Sequence, residues 1–116
     1  MAEQNCIFCK IVAGEIPAAK IFEDDRAVVF RDINPQAPTH ALVIPRRHVA
    51  SLNEAGGTDE ALLGHLLLVA ARVAREEGLA DSGYRTVINT GAGAGQSVFH
   101  VHVHLLGGRR LTWPPG

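Results

Sequence analysis

The chain has 116 residues, of which 47% are hydrophobic and 20% are charged, and its formal net charge is −1. This length and composition predict a single globular domain spanning residues 1–116, with one hydrophobic core. The near-neutral charge creates no field that would favour nucleic acid or a membrane surface as a partner. No apolar stretch reaches the length of a membrane span, and the N-terminus lacks the pattern of a secretory signal. We therefore expect a cytoplasmic protein.

The first half of the chain reads as a short helix followed by three strands. The helical turn around residues 6–13 is ended by Gly14. Strands are predicted at residues 19–23 and 26–33, and the turn residues between them indicate a hairpin. A loop with two prolines separates them from an almost wholly apolar strand at residues 40–45.

The second half of the chain is dominated by a long helix, predicted at residues 59–77. Thr58 is its expected N-cap, and Gly78 its expected C-terminal stop. Its apolar stripe is broader than contact with one sheet requires. Two interpretations stay open: a helix that is simply well buried, or a helix that packs on the sheet and also on a second copy of the chain.

Two further strands are predicted at residues 84–90 and 96–106, on either side of a glycine loop. No strand-helix-strand alternation is present. The pattern therefore predicts an α+β domain, in which a five-stranded antiparallel sheet carries one long helix and a short N-terminal helix.

The glycine loop, Gly91-x-Gly93-x-Gly95, resembles part of a dinucleotide fingerprint. It lies between two strands and opens no helix, so it lacks the context of that motif. One interpretation of the loop is a nest of backbone N–H groups that accepts a phosphate. A flexible hairpin loop is the alternative that spacing alone favours, although the position directly before Gln96 and Ser97 points to function.

Three of the six histidines, His100, His102 and His104, alternate with aliphatic residues in the last predicted strand. On a strand, this spacing puts all three imidazoles on one face. A structural role on a solvated face, a zinc site and nucleophilic catalysis are the three interpretations. In the last, a neutral imidazole attacks phosphorus or a carbonyl carbon while neighbouring groups move protons. The nearest hydroxyl and amide side chains in the sequence belong to Asn89, Gln96 and Ser97.

The only two cysteines, Cys6 and Cys9, have the spacing of a metal-binding pair. A closed zinc site needs two more ligands, for which His48 and one histidine of the triplet are the obvious candidates. A redox pair is less favoured because the strand-to-helix context of that motif is absent, and inert thiols remain an alternative.

Three other polar residues have simpler interpretations. Asp32 ends the second predicted strand and could bind a sugar diol, although a turn aspartate is the commoner case. His40 follows the proline-bounded loop. His65 lies in the long helix, where we expect a structural role.

Residues 100–106, His-Val-His-Val-His-Leu-Leu, match the histidine-triad signature His-φ-His-φ-His-φ-φ, in which φ is apolar. The chain resembles the histidine triad (HIT) superfamily, specifically its branch of histidine triad nucleotide-binding proteins, the purine nucleoside phosphoramidases. The resemblance covers nearly the whole chain. Other matching motifs lie at residues 32–40, 43–48, 63–66, 95–98 and 113–116.

The resemblance implies a homodimer in which the long helices pack together and the sheet is continuous across the two subunits. It also implies hydrolysis of purine nucleoside phosphoramidates and related acyl-nucleotides. His102 would attack the α-phosphorus to give a nucleotidyl-histidine, which water then hydrolyses. His104 would contact the phosphate, and His40 would join the proton relay.

The resemblance assigns the other site residues to groups around the substrate. These are Asn89, Ser97, Gln96 and Gly95 near the phosphate or leaving group, Asp32 at the ribose hydroxyls, Ile7, Phe8, Ile11 and Phe30 around the base, and Trp113, which would reach the neighbouring subunit's site.

Two alternatives to this activity remain open. One is a dinucleoside polyphosphate hydrolase of the same superfamily, against which the ending Trp113-Pro114-Pro115-Gly116 argues. The other is a non-enzymatic protein that binds nucleotide or zinc and a partner protein.

The cysteine pair resembles that of the zinc-bearing nucleotidyltransferases of the superfamily. This likeness implies a structural zinc held by Cys6, Cys9, His48 and His100. A closed four-ligand site leaves no open position, so catalysis itself would require no metal.

Overall fold

The computed structural model of the protein describes Glu3 and residues 5–116. Its five strands form one sheet, in which neighbouring strands run antiparallel. The strands at the two edges of the sheet are the first and the fourth along the chain. Along the chain, the strands are β1 (Lys20–Glu23), β2 (Ala27–Arg31), β3 (Thr39–Pro45), β4 (Tyr84–Val87) and β5 (Val103–Gly107). The spatial order is β1-β2-β3-β5-β4.

Two helices cover the two faces of the sheet. The short helix α1 spans Ile7–Val12, and the long helix α2 spans Glu60–Glu76. Neighbouring side chains on a strand point to opposite faces of the sheet. Since helices cover both faces, β2 and β3 are apolar along nearly their whole length. The predicted α+β architecture is confirmed. One core layer, beneath α2, includes Val29, Val43, Leu66, Val73, Val103 and Leu105; the other, beneath α1, includes Phe8, Ile11, Val28, Phe30, Leu42 and Ile44.

The fifth strand is shorter than the sequence predicts, because pairing with β3 ends at Val43 opposite Val103. Two positions further along, the same register would set Val101 against Pro45, which has no N–H to donate. The N–H of Val101 donates instead to the carbonyl of Val49, at 2.6 Å. The prediction that all of residues 96–106 form a strand is therefore wrong, and His100 and His102 lie in the segment before β5.

β2 and β4 also end before the predicted residues, whereas β3 begins one residue earlier than predicted, at Thr39. β4 pairs with β5 only from Tyr84, opposite Gly107, to Val87, opposite His104, and it ends at Val87. After Arg31, the side chain of Asp32 accepts the N–H of Asn34 at 2.8 Å and turns the chain into the proline loop.

The N-terminus of α2 is capped differently from the prediction, which named Thr58. A 3₁₀ turn at Gly57–Asp59 leads into the helix, and Asp59 is its N-cap residue. The Asp59 carboxylate accepts the N–H of Gly56 at 2.8 Å and pairs with Arg47. The predicted stop at Gly78 is confirmed, since its φ of +77° lies in the left-handed region that glycine favours.

The broad apolar stripe of α2 is only partly used by the sheet. Leu66 and Val69 are buried, whereas Leu67 and Leu68 remain 44% and 73% exposed. Within the part of the chain that the structure describes, no helix has the length and hydropathy needed to cross a membrane.

Candidate functional site

The three histidines of the triplet lie on the α1 side of the sheet, as the alternation predicts. His104 is in β5, opposite Leu42, and the rings of His102 and His104 have centroids 5.0 Å apart. Phe8 of α1 packs edge-on against both His100 and His102, at 5.9 and 5.1 Å. His100 and His102 keep this face outside the strand because hydrogen bonds hold both rings, to the carbonyls of Pro45 and of His100, and the N–H of Val101 to Val49.

The ring of His102 is held by one hydrogen bond from its inner nitrogen. Nδ1 lies 2.7 Å from the carbonyl oxygen of His100, and a carbonyl can only accept, so Nδ1 carries the proton. Nε2 is then unprotonated in the neutral ring and keeps its lone pair. Burial lowers the pKa of His102, against the opposing effects of that carbonyl and of Asp32, so the ring is neutral at pH 7. This is the state that a nucleophile requires.

His104 and His40 form a second pair of imidazoles next to His102. Nε2 of His40 lies 3.0 Å from Nδ1 of His104 and 3.4 Å from a carboxylate oxygen of Asp32. Burial lowers the pKa of His40 although Asp32 opposes it. Burial, with smaller contributions from His102 and His40, lowers the pKa of His104 to about 4. Both rings are therefore neutral near pH 7, and can pass a proton along their hydrogen bond.

At the other end of the triplet, His100 faces away from this pair and towards the cysteines. Its Nε2 donates to the carbonyl of Pro45 at 2.8 Å, which leaves Nδ1 with a free lone pair. Nδ1 lies 3.3 Å from the sulfur of Cys6, 3.5 Å from that of Cys9 and 3.3 Å from Nδ1 of His48. The predicted ligand set Cys6, Cys9, His48 and His100 is thus brought together, with all four ligand atoms within 4.8 Å of one another.

The spacing of these four atoms fits a tetrahedral zinc ion. With bonds of about 2.0–2.3 Å to nitrogen and sulfur, neighbouring ligand atoms of such a site lie about 3.3–3.8 Å apart. The sulfur of Cys9 and Nδ1 of His48 are 3.3 Å apart, like the other close pairs of the cluster. Burial raises the pKa of the Cys6 thiol, so without a cation this buried group stays protonated. The donor set and its geometry fit the group that the sequence implied.

The glycine loop before the triplet is an ordered turn. Residues 92–94 form a 3₁₀ turn, and the amide side chain of Gln96 holds the loop from inside. Its oxygen accepts the N–H of Gly91 at 2.8 Å, and its nitrogen donates to the carbonyls of Ala50 and Val98 at 2.8 and 3.1 Å. Gln96 is 4% exposed and its amide atoms are occupied, so the structure shows it supporting the loop that presents Ser97.

The predicted base-binding residues separate into buried and exposed members. Phe8, Ile11 and Phe30 belong to the core layer beneath α1, with the rings of Phe8 and Phe30 5.4 Å apart. Ile7 is 46% exposed on the outer side of α1. The predicted phosphate-side residues Asn89 and Gly95 are half-buried and exposed, respectively, on the segment between β4 and the triplet.

The C-terminal tail leaves the sheet after β5 and lies against β4. Arg85 donates to the carbonyl of Thr112 at 2.9 Å and fixes the course of the tail. Trp113, which we expected to reach a neighbouring subunit, is 83% exposed.

An open cavity of about 420 Å³ borders the thiol cluster and the glycine loop. It connects Ser97 and Ile7 with the ligand candidates Cys6 and His48. The residues that line it do not include His102 or His104, so it adjoins the triplet and does not contain it. The remaining lining residues are Glu3, Asn5, Ala50, Val98 and Phe99.

Besides the carbonyl of His100, two further backbone groups at the site were not predicted from the sequence. The carbonyl of Pro45 fixes His100, and the N–H of Gln36 donates to Nδ1 of His40 at 3.0 Å. Backbone groups carry no residue signature, and only the folded proline loop brings Gln36 to His40, so no signal in the sequence could identify either contact.

Comparison with known proteins agrees with this geometry. The family model "HIT domain" matches residues 13–111. The chain belongs to the HIT family. Among HIT relatives, an uncharacterized HIT-like protein of Synechococcus elongatus is 57% identical over 113 residues, which cover 97% of this chain and 98% of the relative.

Solved HIT structures share the whole fold. A HIT family hydrolase from Legionella pneumophila superposes with a TM-score of 0.95 at 54% identity, covering 97% of this chain and 100% of the other. A histidine triad protein from Clostridium difficile gives a TM-score of 0.94 at 42% identity, covering 97% of each chain. The fold of this chain is therefore that of HIT family hydrolases.

Proposed function

We propose that the protein hydrolyses purine nucleoside phosphoramidates and related acyl-nucleotides to nucleoside monophosphates, through a covalent nucleotidyl intermediate on His102. The observation that carries this proposal is the hydrogen bond from Nδ1 of His102 to the carbonyl of His100, which leaves Nε2 as a free nucleophile in a neutral ring. The similarity to a HIT family hydrolase supports the reaction class.

In the first step, Nε2 of His102 attacks the α-phosphorus and the phosphorus–nitrogen bond breaks. The leaving nitrogen takes up a proton from solvent, which His40 and His104 relay through their hydrogen bond, so that both rings are neutral again after the step. Ser97 and Asn89 donate hydrogen bonds to the phosphate oxygens or to the leaving group. Imidazole suits this step because it is a good nucleophile and also a good leaving group.

In the second step, a water molecule attacks the phosphorus of the nucleotidyl-histidine. The bond to Nε2 breaks, a proton of the water passes to solvent, His102 is regenerated as a neutral ring, and the nucleoside monophosphate leaves. Asp32 holds the ribose hydroxyls through both steps, and the base lies against Ile7 and the apolar side chains of α1. The exposed glycine loop, with Gly95 at its end and Gln96 holding it from inside, supports the phosphate end of the substrate.

We also propose that zinc occupies the cluster of Cys6, Cys9, His48 and His100. All four positions of the ion are filled by protein atoms, so its contribution is geometric. It fastens α1 to the segment that carries His102, because His100 belongs to both the cluster and the triplet.

The protein is further proposed to act in the cytoplasm as a homodimer with a sheet that continues across the two subunits, with the exposed flank of α2 as part of the contact. Trp113 of each subunit then reaches the site of the other. Nucleic acids and membranes are not expected as partners, in keeping with the formal net charge of −1.

The proposal is tested by incubating the protein with adenosine phosphoramidate and, separately, with diadenosine polyphosphates. We expect the phosphoramidate to be hydrolysed, and His102→Asn to lower kcat by at least about a thousandfold, because no nucleophile remains. Rapid quenching of the wild type should trap an adenylate on His102.

The matched control is His65→Asn, which alters a histidine outside the site. It should retain turnover. Hydrolysis of the polyphosphates alone would favour the related polyphosphate hydrolase, and hydrolysis of neither substrate would contradict the enzyme proposal.

A further inference from the structure

The pair His40–His104 can be arranged in two opposite ways, and the choice decides what His104 presents to the substrate. Each neutral imidazole carries one proton, on either Nδ1 or Nε2. If Nε2 of His40 donates to Nδ1 of His104, then His104 carries its own proton on Nε2, as a hydrogen-bond donor. In the opposite arrangement, His104 donates to His40 and presents a lone pair.

The proline loop determines which arrangement forms. The backbone N–H of Gln36 lies 3.0 Å from Nδ1 of His40, and a backbone N–H can only donate. Nδ1 of His40 is therefore the acceptor and its Nε2 carries the proton. Nε2 in turn lies 3.0 Å from Nδ1 of His104, so the proton of His104 resides on Nε2.

The loop is itself tied down at three points. The carboxylate of Asp32 accepts the N–H of Asn34 at 2.8 Å, and the side chain of Gln36 donates to the carbonyl of Asn34 at 3.0 Å. From the start of the C-terminal tail, Nε of Arg109 donates to the carbonyl of Gln36 at 2.9 Å.

The tail also packs tightly against the loop at a neighbouring position. Gly108 has a φ of +89°, and a Cβ at that position would lie 2.9 Å from Cβ of Pro38. The tail thus contacts the loop through Gly108 and holds Gln36 through Arg109.

We propose that Gln36 is a positioning residue, whose backbone N–H sets the direction of the hydrogen bond between His40 and His104 so that His104 presents an N–H donor to the substrate phosphate. Arg109 acts through Gln36, as a second positioning residue. This inference rests on the proposed function for its catalytic meaning, but the arrangement of protons in the free protein does not depend on any substrate.

A donor is the useful choice at this position. A phosphoryl group places negative charge on its equatorial oxygens, and a positioned N–H stabilises that charge, whereas a lone pair would repel it. The ionisable groups that face the ring of His40, among the described residues, are Asp32 at the end of β2 and His104 in β5. Asp32 also favours a proton on Nε2 of His40, so the loop and the carboxylate act in the same direction.

The sharpest variant is Gln36→Pro, because proline removes the backbone N–H, and Gln36→Ala is its matched control because alanine keeps it. The first readout is the ¹⁵N NMR spectrum of the histidine rings in the free protein. We expect Nδ1 of His40 to be unprotonated in the wild type and in Gln36→Ala, and to become partly or wholly protonated in Gln36→Pro. Unchanged ring protonation in a folded Gln36→Pro variant would overturn the inference.

The second readout is the hydrolysis of adenosine phosphoramidate as a function of pH. Gln36→Pro should lower kcat by at least about tenfold, and Gln36→Ala should stay within about twofold of the wild type. The N–H of Gln36 donates to the neutral form of the His40 ring, and its loss should raise the pKa of His40. The acidic limb of the pH profile should therefore move to higher pH. A variant that is merely less stable would not move this limb.

Arg109→Ala provides an independent test should Gln36→Pro fail to fold, with Arg110→Ala as its control. We expect Arg109→Ala alone to give mixed protonation of His40 and a smaller shift of the pH profile. A wild type that hydrolyses nothing would contradict the proposed function, yet the NMR readout would still decide the role of Gln36. Identical ring protonation in wild type and Arg109→Ala would refute the role of Arg109.

Discussion

Backbone groups determine which ring nitrogen carries the proton in three histidines of the candidate site. The carbonyls of His100 and Pro45 fix the protons of His102 and His100, and the N–H of Gln36 fixes that of His40. The same residue type thereby gives the proposed nucleophile, a proposed metal ligand and a proposed member of the proton relay. The sequence supplies three identical imidazoles, and the backbone groups that the fold places around them give the rings different hydrogen-bond partners.

One titratable cluster outside the site should influence stability. The carboxylate of Asp24 accepts the N–H groups of Arg26 and Ala27, at 2.8 and 2.7 Å, and contacts His65 of α2 at 2.7 Å. Burial alone would raise the pKa of Asp24, but these hydrogen bonds outweigh it and hold the pKa below the ordinary value of 3.8. The folded protein therefore stabilises the ionised carboxylate.

We predict that Asp24→Ala lowers the free energy of unfolding by about 2 kcal/mol at pH 7, because it removes the partners of two backbone donors and of His65. The ionised carboxylate stabilises the folded protein at pH values above its pKa in the unfolded chain. This stabilisation is lost as the pH falls through the lower pKa of the folded protein. The difference in unfolding free energy between Asp24→Ala and the wild type should therefore shrink below about pH 4. Urea titrations at pH 7 and pH 3 measure it. Asp25→Ala is the control, since that side chain is 90% exposed, and an equal effect of both variants would contradict the prediction.

At the scale of elements, the sequence predicts what is local and misses what depends on distant partners. The antiparallel sheet, the long helix and the shared face of the histidines follow from period and turn residues, and all are confirmed. The predicted start of the last strand at residue 96 was wrong. The register of β3 and β5 sets Pro45 opposite residue 101, and the sequence alone does not reveal that register. The cap at Asp59 was missed because it depends on a 3₁₀ turn and on Arg47.

The candidate site shows the same division. The ligand set Cys6, Cys9, His48 and His100 could be named from residue type and family resemblance, and the structure brings it together. The occupied amide of Gln96 could not be foreseen, because its partners include Ala50, 46 residues away along the chain. Which ring nitrogen of each histidine carries a proton was equally beyond reach.

The attachment of α1 gives a prediction at this scale. The helix has six residues, too few to be stable alone, so the proposed zinc should matter for its position. We predict one zinc per chain in freshly purified protein and none in Cys9→Ala, as measured by elemental analysis. Cys9→Ala should also lower the melting temperature, because a structural zinc contributes directly to folding.

The control for this prediction is Ile11→Ala, which removes more buried apolar volume from the same helix but keeps all four ligands. It should be destabilised and still contain one zinc. A wild type that is fully folded without zinc would contradict the prediction.

At the scale of the whole molecule, the exposed apolar surface of α2 remains to be explained. Leu67 and Leu68 lie beside Gly64 and Ala71, at the spacing of one helix face, and Leu68 is 73% exposed. Such a face, unused by the sheet, is what a two-fold contact between identical helices would bury. This face supports the proposed homodimer.

We predict that the wild type sediments at twice the chain mass and that Leu68→Glu sediments as a monomer. Burial of a leucine contributes about 1.5–3 kcal/mol, and two-fold symmetry counts it twice, so its loss should raise the dimer Kd by at least about a hundredfold. A charge buried in its place would oppose association further. Analytical ultracentrifugation over a range of concentrations measures both species.

The control is Leu52→Glu, which changes a leucine that is 39% exposed in a 3₁₀ turn outside α2 and should leave the dimer intact. Dissociation by both variants, or by neither, would place the contact elsewhere on the molecule.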